Sequence, residues 1–378
     1  MEHLDLLGEF STYLKEERNK GKKIIAFLSH DNIPEELISA AGFIPLRLIF
    51  AGDDELMTAS HDFLPPSTCS FVQSCIGLFS LKPNHFDFLD LIDYIVVSNH
   101  CVSDICSSEI IAKYYNKKRL NFYVSYTQNE NSSAYYKLEL KEFKKQLEEI
   151  SGNTISDSEI LAEIKRYNQL KNLMSKVSEL NINGSNKLQL YQKALLYGPK
   201  VIPELKTFLE KTENNAPNTL KNGKSLMLTG CSIFIGDHLI NLIEESGGNI
   251  VFFDTWIGYN YYSQKFSEKI LNSTNDPLDL FVKRFENNRL GDHSIPNFLD
   301  NKVSHIKRIV EDYERENEQK LGVINHVIKF CDHFSLFQTS IKDRLQDLDI
   351  SILNLERDYA RANRGQLSTR IEAYLEMI

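Results

Sequence analysis

Residues 93–106 read DYIVVSNHCVSDIC: an apolar, β-branched run that ends near a cysteine and passes into a helical pattern carrying a second one. A continuous apolar run, rather than an alternating one, marks a strand buried on both faces, as in a parallel sheet. The pattern recurs where SLMLTG (225–230) meets Cys231 and GVINHVIKF (322–330) meets Cys331. Further strand-like runs are IIAFL (24–28), IPLRLIF (44–50), LNFYVSY (120–126), NIVFFDT (249–255) and ISILNLE (350–356). Helical patterns lie at about 3–20, 33–41, 105–115, 235–246, 297–318, 335–347 and 366–377. Pro65-Pro66-Ser67 breaks the chain before another helix, which carries Cys69 and Cys75. Strands alternating with helices predict an α/β fold of two domains with mostly parallel sheets, a flavodoxin-like three-layer arrangement. Residues 136–212 are helical and charged, with Ser156 and Glu159 spaced as a capping box, and TENNAPN (212–218) is a polar linker. The expected organisation is therefore an N-terminal α/β domain (1–135), a helical linking segment (136–218) and a C-terminal α/β domain (219–378).

The 378 residues suffice for two or three cores, and 42% apolar with 25% charged residues is ordinary globular composition. A net charge of −9, with acids and bases mixed along the chain, argues against nucleic acid as the main partner. No apolar run reaches a membrane span, and the charged amphipathic start has no signal-peptide core, so the expectation is a cytoplasmic protein.

Six cysteines occur, four of them between residues 69 and 106. In a reducing compartment such clustering points to metal ligands or redox groups rather than disulfides. Ligands gather beyond the carboxyl ends of parallel strands, and Cys101, Cys231 and Cys331 all occupy that position. Cys69 and Cys75, if on one continuous helix, face about a third of a circle apart, so a break near Cys69 is needed for both to reach one object. Cys101 and Cys106 can span a strand end and the next helix's first turn, where thiolates are favoured. We read the chain as a scaffold around an iron–sulfur centre. Zinc competes, but structural zinc sites usually show short CxxC pairs, whereas the spacings here are longer and two cysteines stand alone. The bland reading of each thiol is a small buried hydrophobe.

Ser29 ends a strand, His30 follows it, and Glu36 sits in a helix's first turn; these are the candidate catalytic residues. The competing readings are a turn or cap for Ser29, a hydrogen-bonded loop histidine for His30 (as for His100 and His333), and a macrodipole acid for Glu36. TWIGYNYY (255–262) can line a pocket or simply pack. TGCSIFIG (229–236) matches neither a phosphate loop nor a dinucleotide fingerprint.

With these residues in view, the chain resembles the 2-hydroxyacyl-CoA dehydratase D-component family, which includes benzoyl-CoA reductase subunits. The likeness is carried by IPEELISAAGFIPLRL (33–48), STCSFVQSCIGL (67–78), VSNHCVSD (97–104), LTGCSIFIGDHLINLIEESGGNIVFFDTWIGYNYY (228–262), GVINHVIKFCDHF (322–334) and the ending ILNLERDYARANRGQLSTRIEAYLEMI (352–378). The resemblance implies a 4Fe–4S cluster on Cys69, Cys101 and Cys331, with one iron open to a thioester carbonyl or a small ligand. It also implies low-potential electrons from an ATP-dependent iron–sulfur activator protein, a dimer of related subunits and, in the dehydratases, ketyl-radical chemistry. Cys75, Cys106 and Cys231 exceed that need. A branch of the superfamily carries a double-cubane 8Fe–9S cluster on six thiolates and resembles homodimeric reductases of small molecules. The first reading is thus a double-cubane reductase using all six cysteines. The second is an acyl-CoA dehydratase or benzoyl-CoA reductase subunit with a single 4Fe–4S cluster. The third is an electron-carrier or assembly protein without a substrate of its own.

Overall fold

The computed structural model describes residues 2–28, 32–99, 101–214, 223–290 and 295–378. Two four-stranded, all-parallel sheets organise them. The first contains β1 (Ile24–Phe27), β2 (Ile44–Arg47), β3 (Ile92–Ser98) and β4 (Lys118–Phe122) in the order β2-β1-β3-β4. The second contains β5 (Lys224–Gly230), β6 (Gly248–Asp254), β7 (Gly322–Ile328) and β8 (Ile352–Arg357) in the order β6-β5-β7-β8. Both follow the same flavodoxin-like succession, so each sheet has a switch point between its two central strands. The central strands are apolar because helices cover both faces: β1 and β7 are buried along their whole length.

The charged helices after β4 belong to these layers. Phe143 of Glu130–Ser151 and Ile164 of Asp157–Glu179 share a core with Phe27, Val96 and Phe122 of the first sheet. Leu188 and Tyr191 of Gly184–Tyr197 pack in the core that holds Leu228 and Phe253 of the second. Ser156 and Glu159 form the reciprocal capping box that the sequence predicts.

The carboxyl-end loops of the two sheets meet. IPLRLIF pairs in the sheet only as far as Arg47; Phe50 then bridges to Ile235, with Ala51 N–H donating to Ile235 O at 2.8 Å and Ile235 N–H to Ile49 O at 3.0 Å. That commitment of the Ile235 backbone is why the next helix starts only at Leu239, four residues later than its pattern suggests. Phe71 and Phe234 stack across the same seam, ring centroids 4.1 Å apart. The helices Asp54–Ala59 and Glu268–Ser273 are too short to show a periodic pattern, whereas Leu278–Asn287 carries one in Leu278, Phe281, Val282 and Phe285 that the reading of the sequence passed over. The first packs so closely on Ser70–Leu81 that a Cβ on Gly77 would lie 2.0 Å from Leu56 O. Among the described residues no helix is long and apolar enough to cross a membrane.

Candidate functional site

Four cysteines line one cavity of about 90 Å³ at the seam: Cys69, Cys101, Cys231 and Cys331. Cys69 follows the Pro65-Pro66 break and is the N-cap of Ser70–Leu81, its backbone outside the helical region. Cys101 is the N-cap of Val102–Tyr114, and its Sγ accepts the Asp104 N–H at 3.3 Å. Cys331 leads the short helix Asp332–Ser335 just beyond β7. Cys231 follows Gly230, whose φ of +92 and distance to His326 O (2.2 Å from a would-be Cβ) leave room only for glycine. Cys231 N–H donates to His326 O at 2.7 Å, and its Sγ accepts the Ile328 N–H at 3.4 Å. The cysteines after β3 and β7 therefore occupy equivalent positions in the two sheets, each beside its sheet's switch point.

The electrostatics single out Cys331. Hydrogen bonding from the Cys231 thiol, then from Cys69, holds it well below the usual thiol range, and His333 adds to this. The proton balance falls the other way on its neighbours: Cys69 is raised by its hydrogen bond to Cys331 and then by burial, Cys231 by burial and then by Cys331. Burial, then the Asp104 carboxylate, raises Cys101. Asp104 is itself buried and fixed by Ser98 Oγ at 2.7 Å and Ser108 Oγ at 3.0 Å.

Apolar walls come from Phe71, Val72, Phe234 and Trp256, with Asn260, Asp104 and His333 as polar groups. Trp256 is held from behind. The Arg47 guanidinium lies 4.7 Å from both the Phe27 and Trp256 ring centroids and pairs with buried Glu35 at 3.1 Å, while Tyr261 Oη donates to the same carboxylate. The aromatic loop thus does both things its sequence allows: Trp256 and Asn260 line the cavity, whereas Tyr261 and Tyr262 pack.

The remaining expected residues that the structure describes are not brought to this cavity. Cys75 is 2% exposed in the core, its thiol raised by burial and then by Asp104. The break at Cys69 exists, but the helix after it turns Cys75 inward. Cys106 is exposed on Val102–Tyr114. Glu36 is fully buried and ion-paired with Arg284 at 2.7 Å; burial pushes it up, but Arg284 and Lys171 outweigh this and hold it below the usual carboxylate range. Ser29, His30 and His100 lie outside the described residues. Asp104 lines the cavity without being singled out by sequence reasoning. The sequence signal for Asp104 is its place three residues after a strand-end cysteine, where a helix's first turn is aimed back at the cap.

The donor set suits a thiolate-bound cluster. Two of the thiols cap helices of a dozen residues, where the macrodipole favours anionic sulfur. Among the described residues no three His, Cys, Asp or Glu side chains are placed to hold a single metal ion. The four thiols instead ring a space, as thiolates do when spread over the iron atoms of a cluster rather than gathered on one zinc.

The family model described as 2-hydroxyglutaryl-CoA dehydratase, D-component, matches residues 32–378. The provisionally named dehydratase subunit YjiM of Escherichia coli (strain K12) is 25% identical over 92% of this chain and 89% of its own. The (R)-phenyllactyl-CoA dehydratase beta subunit of Clostridium sporogenes is 25% identical over 91% and 89%. One of the subunits of benzoyl-CoA reductase from Thauera aromatica is 24% identical over 93% and 89%. With the match running from the first sheet to the last helix, through all four cavity cysteines, the chain belongs to the 2-hydroxyglutaryl-CoA dehydratase D-component family.

Proposed function

We propose that this chain is the iron–sulfur subunit of a dehydratase or reductase acting on an acyl-CoA thioester, with a single 4Fe–4S cluster on Cys69, Cys101 and Cys331 and with Cys231 beside them. The observation that carries the reading is the shared cavity: these four thiols line it, and Cys75 and Cys106 do not. In this reading the chain works in the cytoplasm, pairs with a related subunit or a second copy, and receives electrons from an ATP-dependent activator. The parts proposed are 1–135 and 219–378 as the two halves that supply ligands, with 136–218 as the helical segment between them.

When bound, the cluster supplies low-potential electron transfer and an iron position open to a substrate oxygen. The chain's own residues prepare its surroundings. Hydrogen bonds from the Cys231 and Cys69 thiols lower the Cys331 sulfur below the usual thiol range, which favours the ligating form. Phe71, Phe234 and Trp256 exclude water, which strengthens every charge interaction inside the cavity. Arg47 and Glu35 keep Trp256 in place. Asp104 holds the Cys101 sulfur through its backbone N–H.

Iron and acid-labile sulfide counts on anaerobically purified chain test the assignment. The single-cluster reading expects about four irons per chain, lost in Cys331→Ser and kept in Cys75→Ser and Cys106→Ser. About eight irons, with loss in all six serine variants, would establish the double-cubane reductase instead.

A further inference from the structure

A second cavity, of about 340 Å³, shares no residue with the thiol cavity. That volume is within the usual range of small-ligand sites, roughly 300–1,000 Å³. Gly52, in the loop after β2, contributes from the first half of the chain; Arg357 at the end of β8 and the residues after it contribute from the second. Arg361 N–H donates to the Asp54 carboxylate at 3.1 Å, so the two halves are tied beside it.

Arg357 and Tyr359 line this cavity, and each is more than nine-tenths buried. Arg357 Nη2 donates to the Asp237 carboxylate and Nη1 to the Asp358 carbonyl at 3.5 Å, but Nε has no partner among the described residues. The Tyr359 hydroxyl has none there either. Buried polar groups are nearly always hydrogen-bonded, so two orphan donors on one cavity point to an acceptor brought in from outside. The carboxylates on its wall are already committed. Asp237 also takes the Leu239 N–H at 2.9 Å, and Asp358 takes the Ala360 N–H at 3.0 Å and the Asn363 amide at 2.8 Å. Two further arginines line the cavity: Arg361, 85% exposed, lies 4.0 Å from Asp53, and Arg364, 66% exposed, pairs with Glu245 at 2.7 Å. Such exposed pairs are worth little and give way to a stronger acceptor. Arg364 also opens the 14-residue helix Arg364–Met377, whose N-cap Asn363 makes no side-chain cap, so the positive end of its macrodipole lies beside the guanidinium groups. Three arginines thus stand against two carboxylates, and the guanidinium fork matches phosphate. Leu239, Leu242 and Leu367 add an apolar wall that a bare anion would leave unfilled.

We propose that this second cavity is a nucleotide-phosphate site, with the phosphate on Arg357, Arg361 and Arg364 and the base against Leu239, Leu242 and Leu367. A free adenosine nucleotide and the nucleotide end of coenzyme A share this chemistry. The site stands apart from the thiol cavity and needs no cluster in order to fill.

The test is calorimetric titration of the anaerobically purified full chain with ADP, coenzyme A, adenosine and inorganic phosphate. ADP or coenzyme A should saturate one site per chain with a Kd below about 1 mM, and adenosine and phosphate should bind at least about tenfold more weakly. Arg361→Gln and Arg364→Gln, whose side chains are largely in solvent, should each weaken binding about tenfold. Arg315→Gln, an exposed arginine outside the cavity, should leave it unchanged. Tighter binding of coenzyme A than of ADP makes the coenzyme the occupant, and the reverse or equality makes it a free nucleotide; either supports the site. No saturable binding of either compound overturns it. Inorganic phosphate binding as tightly as ADP would show a bare anion hole and overturn the nucleotide assignment. Coenzyme A bound with an affinity that neither arginine variant moves sits elsewhere, which overturns this site and leaves the acyl-CoA reading intact. Should the variants fold poorly, phenylglyoxal labelling of wild type decides: ADP or coenzyme A should shield Arg361 and Arg364 in mass-spectrometric maps, and no shielding overturns the proposal.

Discussion

Lys302→Met probes the anchor beneath the cavity wall. Asp254, at the end of β6, is completely buried, and so is Lys302, whose ammonium sits 2.8 Å from Asp254 Oδ2 and 3.1 Å from the Asp254 carbonyl. Thr229 Oγ1 donates to the same carboxylate at 2.8 Å, and His305 Nε2 lies 3.4 Å from its other oxygen. At 2.8 Å and an effective dielectric of about 20, the pair attracts by roughly 6 kcal/mol, most of which is spent against desolvation. Removing one partner strands the other charge, which costs about 3–5 kcal/mol; the lower end is expected, because Thr229 and His305 remain. Burial pushes the Asp254 carboxyl up, yet Lys302 and then His305 outweigh it and hold the group below the usual range. A depressed folded value means stability that is full above the unfolded carboxyl value of about 3.9 and is lost as pH falls through the folded one. The deficit of Lys302→Met should therefore be present at neutral pH and shrink towards acid, where Asp254 protonates in both proteins. The chain's single tryptophan, Trp256, stands two residues from Asp254, so urea unfolding followed by its fluorescence reads this region directly. A loss below about 0.5 kcal/mol, the range of surface substitutions, or a loss independent of pH, would refute the reasoning.

Three further expectations follow from burial and backbone geometry. In the metal-free native chain Cys106 should be alkylated first and Cys75 only on unfolding, as mapped by mass spectrometry; early labelling of Cys75 would contradict its place in the core. Gly77→Ala should destabilise the chain by about 1–3 kcal/mol, since its Cβ collides with the Leu56 carbonyl, and an unchanged denaturation midpoint would show that the two helices part freely. Ser156→Ala should cost about 1 kcal/mol through loss of the N-cap, measured by the same unfolding curves; no cost would mean the helix start is held by its neighbours alone.

The strands, and the turns of chain at which three cysteines emerge, are legible in the sequence because buried parallel strands are unbroken apolar runs that end abruptly. Equally local signals mark the break at Cys69 and the cap at Ser156. What sequence spacing does not convey is direction. Cys75 follows Cys69 by six residues and Cys106 follows Cys101 by five, yet one thiol faces the core and the other solvent, since the face of a helix is chosen by what packs on it. Distance along the chain hides the rest. Glu36 meets Arg284, and Asp254 meets Lys302 and His305, only through tertiary packing. No local pattern announces a carboxylate whose counterion arrives so much later.

The two sheets share one strand order, and the cavity takes Cys69 and Cys101 from the first and Cys231 and Cys331 from the second. Two thiols per half is one short of the three that a single open cluster needs. If the cavity holds the proposed cluster, the N-terminal half cannot retain such a centre as it leaves the ribosome, and its cysteines wait through more than two hundred further residues. In that reading maturation is a late checkpoint: only a chain translated past Cys331, with both halves folded and docked, could be loaded. Truncated or misdocked products would stay without iron, and cluster content in a cell extract would count finished molecules rather than polypeptide.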